Sequence, residues 1–473
     1  MLTGRKTECK TLQACVASPQ SELVAVYGRR RIGKTFLIKE FFNNKFTFSY
    51  VGTRGVAMRT QLDLFATALQ RHSKSAIRPI LRNWFDAFLG LEEMLEKSSA
   101  KKKIVFIDEM PWIDTRKSNF VQALETFWNG WAALRNDIVL IVCGSSTSWM
   151  VEKIFHNKGG LFNRITHHIY LRPFTLLEVE QYLDARHFEW DRYTIAQCYM
   201  VLGGVPFYLS LLDKSMSLSQ NIDRLFFSGA HAALRLEHDE LFSSLFLHPG
   251  NYVNVIGALC SHREGLTRNE IIAHCQLSGA GLSKALLDLE RSDFIFSYTA
   301  YGTKSNNAIY RIKDFYTLFF YQFVQGATSK DNSQWSHMLN TPRVNSWQGF
   351  SFELLCLQHL EQIKKALGLQ VMLTHASAWR SKDASHRAQI DLVIERADHV
   401  INLCEIKFST GLYAIDKAYA QWLRDRKSIF EAQTRTRKAT VLTFISTYGL
   451  MANKHANIIS SQVTLDQLFT EIP

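Results

Sequence analysis

The sequence predicts an α/β protein in three units: a P-loop-bearing parallel sheet with a helical lid, a winged helix-turn-helix, and a second α/β domain at the C-terminus. Three observations predict it. "ELVAVYGRRRIGKTFLIKEFF" (22–42) reads as a short apolar strand, a glycine-bearing turn and an amphipathic helix. From about 240 helical periodicity takes over, closed by two short strand patterns at 294–300 and 307–314. From 345 the chain returns to a helix, a strand, and then two strand runs joined by "ADH" at 397–399. The units expected are 1–238, 239–325 and 326–473.

Bulk properties agree with this division. The 473 residues suit about three domains. A hydrophobic content of 47% with 21% charge excludes a disordered chain. The net charge of +12 favours an anionic partner, nucleic acid or nucleotide. The densest basic run, "KSSAKKK" (97–103), precedes a strand pattern and reads as a solvated loop. Eight cysteines without a C-x-x-C pair suit a reducing cytosol, and sixteen histidines include no zinc spacing. There is no signal-peptide pattern, and no apolar stretch nears the ~20 residues of a spanning helix, so a cytoplasmic protein without membrane contact is expected.

The first segment carries a nucleotide site. Gly28-x-x-x-x-Gly33-Lys34-Thr35 is a phosphate loop: backbone N–H groups at a helix N-terminus wrap phosphates, and glycine lets the backbone come close. Lys34 would reach the β- and γ-phosphates of ATP and Thr35 would ligate Mg²⁺. "KKIVFIDEM" (102–110) ends a buried strand in two acids; Asp108 fits the carboxylate that positions Mg²⁺, and Glu109 the group that aligns the attacking water. "DIVLIVCGSS" (137–146) puts Ser145 at a strand tip, where open α/β sheets bind ligands, within reach of the γ-phosphate.

With "GRKTECKTL" (4–12), "LFNRITHHIYLRPF" (161–174) and "GGVPFYLSLL" (203–212), these motifs resemble, in order, the archaeal-type ATPases of the STAND branch of AAA+. The resemblance implies Arg5 and Glu8 near the adenine, Gly204-Val205-Pro206 packing on the nucleotide from the lid, Arg164 near the phosphates, and nucleotide-dependent homo-oligomers. Glycine is usual in that family where this chain has Asn163.

In the second segment, "NVIGALCS" (254–261) is helical, Thr267 and Glu270 form a capping box, and 278–295 gives a third helix. Two strands joined by a polar loop complete a winged helix. Its third helix has only Lys284 and Arg291 as basic residues, thin for a groove reader, so contact inside the protein is supported as well as DNA binding. "DFYTLFFYQFV" (314–324) reads as a buried helix.

In the third segment a helix is expected over 345–367 with Glu353 near its start, and a strand over 369–375. "QIDLVIERADHVINLCEIKF" (389–408) forms a hairpin; a three-residue loop pairs Arg396 with Val400 and brings Asp391 opposite Glu405, with Lys407 on the same face. Ile390, Leu392, Ile394, Cys404 and Ile406 then face a core. Two opposed carboxylates and a lysine in an apolar sheet make sense around Mg²⁺ or Mn²⁺. The pattern resembles the PD-(D/E)XK nuclease core, which implies Glu353 as a third metal-site acid and Gln389 as a holder of water or phosphate. A helix over 409–433 offers Lys417, Arg424, Arg426 and Lys427 to a phosphate backbone, and 463–469 a terminal helix. The function expected is an ATP-regulated, metal-dependent nuclease on nucleic acid, DNA first; the alternative is a nucleotide-controlled switch that holds DNA, RNA or a protein without cutting.

Overall fold

The computed structural model describes residues 2–155, 161, 163–229, 232–246, 248–277, 279–302, 308–327, 331–381 and 388–472. They divide into two compact units, Met1–Pro173 and Phe174–Pro473.

In the first unit the strands are β1 (Glu22–Tyr27), β2 (Phe48–Val51), β3 (Lys103–Asp108), β4 (Ile138–Gly144) and β5 (His167–Tyr170). All pair in parallel, in the order β2-β3-β4-β1-β5. Parallel strands covered on both faces read as unbroken apolar runs, and β3 and β4 are buried along their whole length. One face packs Leu23, Ala25, Val105, Ile107, Leu140 and Val142. The other packs Val24, Val26, Phe106, Val139 and Ile141. Because β4 lies between β1 and β3, the phosphate loop after β1, the acids ending β3 and the serines after β4 share one sheet edge.

The second unit begins with the helices expected as the lid. Leu176, Tyr199, Phe226, Phe315, Phe319 and Trp347 share one hydrophobic cluster, so these helices pack continuously with the rest of the unit. The aromatic stretch is buried as expected. Next come helix Pro249–Ser261, strand β6 (Leu266–Thr267), helices Arg268–Cys275 and Gly279–Arg291, and strands β7 (Ile295–Thr299) and β8 (Ala308–Ile312). The sheet is antiparallel, ordered β6-β8-β7, and the Thr267/Glu270 capping box is formed. Most of the polar loop expected between β7 and β8 lies outside the described residues (303–307).

The C-terminal sheet is β9 (Thr374–Arg380), β10 (Gln389–Arg396), β11 (Val400–Lys407), β12 (Ala439–Ser446) and β13 (Ser461–Thr464), ordered β13-β12-β11-β10-β9. β9, β10 and β11 are antiparallel; helix Lys417–Thr434 then carries the chain to β12, parallel to β11.

Five expectations are corrected here. The helix expected over 345–367 is two, Pro342–Gln358 and Leu360–Ala366, and Glu353 sits in the latter half of the first. Thr341 caps the start, accepting from the Val344 N–H, with Pro342 at the first helical position. The strand expected over 369–375 starts only at Thr374, where pairing with Arg396 begins; Val371 and Leu373 before it are 101% and 82% exposed. The helix expected from 409 starts at Lys417, where the Asp416 carboxylate accepts from the Tyr419 N–H. The helix expected over 463–469 is the end of β13 followed by one tight turn, Leu465–Leu468. Finally, a bulge between Ile390 and Val393 breaks the alternation. Leu392, Ile394, Cys404 and Ile406 enter one core, as expected, but Ile390 joins Val393, Ile401 and Leu403 in the other.

Candidate nucleotide site and C-terminal acid cluster

The loop between β1 and helix Lys34–Phe41 closes on itself. Gly28 has φ 138°, and a Cβ there would stand 2.3 Å from the Leu171 carbonyl oxygen, so only glycine fits. Gly33, also left-handed, is the residue from which the helix starts. The buried Lys34 ammonium donates to the carbonyls of Gly28 and Arg29, both at 2.9 Å. The Thr35 hydroxyl donates to Asp108 Oδ2 at 2.6 Å, tying the loop to the end of β3. Glu109 follows in left-handed backbone, φ 52°, a conformation that costs energy and clusters at working sites.

Ser145 lies on Glu109. Its hydroxyl donates to Oε1 and Oε2 at 2.6 Å, and its N–H to Oε2 at 3.3 Å. Burial raises the Glu109 carboxyl above its ordinary range, Lys34 and Ser145 pull it down, and Asp108 pushes it up. Nothing in the sequence signalled the Ser145–Glu109 bond, since it needs β4 beside β3. The Arg5 guanidinium, from the start of helix Lys6–Ala17, reaches the Ile32 carbonyl at 3.3 Å and Glu8 at 3.5 Å, so Arg5 stands against the phosphate loop with Glu8 beside it. Arg164 is exposed. Asn163 before it has φ 56°, and asparagine is, after glycine, among the residues that tolerate that region. Pro206 opens the short helix Pro206–Ser210 of the second unit, after Gly203 and Gly204, both left-handed.

The oxygen donors of Thr35 and Asp108 fit Mg²⁺, a hard ion that takes few protein ligands beside nucleotide phosphates.

In the second unit, β10 and β11 pair Leu392 with Cys404 through to Glu395 with Ile401; the ladder ends one residue short of Asp391 and Glu405, next to the bulge between Ile390 and Val393. Glu405 is 3% exposed and saturated. Its Oε1 accepts from the Tyr419 hydroxyl and the Lys407 ammonium, both at 2.7 Å, and its Oε2 accepts from Arg426. Burial would raise its carboxyl, but Arg426 and Lys407, with the Tyr419 bond, overcome this and hold it low. Glu353 Oε1 accepts from Arg311 Nη2 of β8 at 2.9 Å. Asp391, partly buried, is pushed up to about 8 by burial, then by Glu353 and Glu405, against Arg426 and Lys407. Gln389 is partly buried and pairs with Arg380 of β9.

The structure thus brings Glu353, Asp391, Glu405 and Lys407 into one electrostatic cluster, with two cations, Arg311 and Arg426, that sequence reasoning did not assign to it. Arg426 was expected on an exposed basic face; it is 7% exposed, turned inward onto Glu405, with its guanidinium 4.2 Å from the Trp422 ring. As arranged, these residues do not fit a divalent cation. Glu405 has given both oxygens to cations and a phenol, and among the described residues no three acidic, histidine or cysteine side chains converge as metal ligands.

Residues 2–212 match the profile of an ATPase domain found predominantly in Archaea. An uncharacterized protein of Methanocaldococcus jannaschii is 24% identical over 400 residues, 83% of this chain and 84% of that one. An uncharacterized ATP-binding protein of the same organism is 44% identical over 45 residues, 10% of this chain and 76% of its own. Among solved structures, a Walker-type ATPase of Pyrococcus abyssi superposes with a TM-score of 0.49 at 17% identity, over 68% of this chain and 96% of that one. The ORC2 protein of Aeropyrum pernix, in its ADPNP–ADP complexes, gives 0.43 at 14% identity, over 68% and 93%. Among the described residues no helix is long and apolar enough to cross a membrane.

Proposed function

The chain carries an archaeal-type ATPase domain, and from that premise we propose that it is an ATP-hydrolysing switch of STAND type whose nucleotide state governs a nuclease-like C-terminal domain acting on nucleic acid. The observation that carries the ATPase half is the meeting of Thr35, Asp108, Glu109 and Ser145 at one sheet edge above Lys34. On nucleotide entry Lys34 leaves the Gly28 and Arg29 carbonyls for phosphate oxygens. Mg²⁺ at Thr35 and Asp108 would offset the phosphate charge. Glu109, held by Ser145 in the resting loop, turns to accept a proton from the attacking water, and Ser145 is freed toward the γ-phosphate. Arg5 and Glu8 attend the adenine, and Arg164 the phosphates. Self-association driven by nucleotide belongs to the same reading.

Glu109→Gln is expected to bind ATP as wild type does while turnover falls by roughly 10²–10⁴, the span typical of removing a general base. Unchanged turnover takes Glu109 out of that role. Lys34→Ala is expected to abolish tight binding, measured by calorimetry.

Support for the nuclease reading comes from the order helix, three antiparallel strands, helix, parallel strand over 342–446, with Asp391, Glu405 and Lys407 on the central hairpin. The helix–strand–helix–helix–strand–strand order over 249–312 supports a winged helix before it. A second reading, a switch that grips nucleic acid without cutting it, is favoured by the saturation of Glu405. Plasmid, linear DNA and RNA incubated with Mg²⁺ or Mn²⁺, with and without ATP, separate the two. Cleavage that disappears in Asp391→Ala establishes the nuclease. Tight binding with no product under either metal establishes the grip.

A further inference from the structure

On the reading that Glu109 aligns the attacking water, we propose that Gln61 is a positioning residue of the ATPase site, fixing the stretch of backbone that presents the Glu109 carboxylate. Gln61 lies in helix Met58–Ser73 and is 0% exposed. Its Oε1 accepts from the Tyr50 hydroxyl at 2.5 Å and the Thr53 N–H at 3.3 Å. Its Nε2 donates to the Thr53 carbonyl at 2.6 Å and the Trp112 carbonyl at 2.9 Å. The amide fits only this way round, since turning it over would set an oxygen against two carbonyls. Both of its donors and both of its lone pairs are used.

Those partners bracket Glu109. Thr53 follows β2 in a loop whose Gly52 N–H donates to the Asp108 carbonyl at 2.9 Å. A Cβ on Gly52 would stand 2.6 Å from the Glu109 carbonyl oxygen, so the loop lies directly on that peptide. Trp112 belongs to the short helix Met110–Ile113 that Glu109 opens, and its N–H donates to the Glu109 carbonyl at 3.0 Å. The far end is tied separately, where Asp114 Oδ2 accepts from Trp149 Nε1 at 3.1 Å. Gln61 therefore grips the loop on one side of Glu109 and the helix on the other. Between them Glu109 keeps φ 52°, a region that an L-residue occupies only while its surroundings hold it there.

Removing the amide strands the Thr53 and Trp112 carbonyls with nothing to accept from in a buried place. Opening the short helix then wets those carbonyls and relieves the Glu109 backbone at once, and the carboxylate leaves its place beside Ser145. A reacting group misplaced by about 1 Å costs up to about a hundredfold in rate. None of the four bonds of the Gln61 amide goes to the phosphate loop, Gly28–Thr35, so nucleotide binding and water alignment separate.

The test uses the full chain with ATP and Mg²⁺. Gln61→Met, which keeps the bulk and drops the amide, is expected to lower kcat by about tenfold to a hundredfold while KM stays within about twofold of the parent. On a Glu109→Gln background, single-turnover hydrolysis is expected to show no further fall, because both changes act through one carboxylate. Hydrogen exchange over 109–114, read by mass spectrometry, is expected to speed about tenfold in Gln61→Met. Should Gln61→Met not fold, Gln61→Glu, which keeps the length and the acceptor but, ionised, cannot donate to Trp112, is read in its place with the same expectations. A folded variant whose kcat stays within about twofold of the parent overturns the proposal, as does a loss confined to KM. An equal loss on the Glu109→Gln background overturns it too, since Gln61 then acts on stability at large and not through Glu109. Should Glu109→Gln itself turn over as the parent does, the water-aligning role fails, and exchange over 109–114 decides the hold: faster exchange keeps it and unchanged exchange overturns it.

Discussion

His359 holds the first break of the C-terminal helices with both ring nitrogens. Its Nδ1–H donates to the Leu355 carbonyl at 2.9 Å, and its Nε2 accepts the Leu176 N–H at 3.0 Å, satisfying a helix-start donor that no intrahelical carbonyl can reach. Burial lowers its pKa from 6.5 to about 4. Below pH 6.5 the unfolded chain therefore takes up a proton that the folded chain refuses. Stability of the second unit falls as pH drops from 6.5 toward 4, levels off below that, and loses about 3 kcal/mol in all. Urea midpoints at pH 7.5 and 4.5 check this; His359→Met is expected to start less stable at pH 7.5 and to show a smaller change between the two. The sequence has sixteen histidines and nothing that marks this one, because its two partners lie on separate helices. Arg311 and Arg426 went unassigned to these acids for the same reason: a basic residue declares its charge, and only tertiary placement declares which acid it meets.

Elements whose cause is local were legible. β1, β3 and β4 are apolar runs ended by a glycine, an acid pair and small polar residues, and the Thr267/Glu270 box fixes a helix start from four residues. The β10–β11 register followed from loop length. Illegible were the features in which one element answers to another: the bulge at Ile390/Val393, the late start of β9, and the helix break at His359. Gly28 belongs with the legible set, and it predicts. Gly28→Ala would drive a methyl into the Leu171 carbonyl oxygen at 2.3 Å while forcing φ 138° on an L-residue. Loss of at least about 2 kcal/mol from the first unit and at least about tenfold in nucleotide affinity are expected, by thermal melts and calorimetry.

Across the chain, the phosphate loop and its acids belong wholly to Met1–Pro173. A non-hydrolysable ATP analogue at about a hundred times its Kd is expected to stabilise that unit by about 2.7 kcal/mol. Hydrogen exchange read over 22–51 and 103–144 is expected to slow; slowing confined to the second unit would contradict the assignment. The Tyr301 N–H, just past β7, donates to the Ala378 carbonyl of β9 at 2.8 Å, and this has a colloidal consequence. It covers part of the outer margin of β9, the last strand of its sheet. Whatever peels it away leaves unsatisfied peptide groups facing solvent, ready to recruit a stray strand from a neighbouring molecule. Loosening that cover and making the protein sticky are then one event, and a rise in light scattering with concentration would report it.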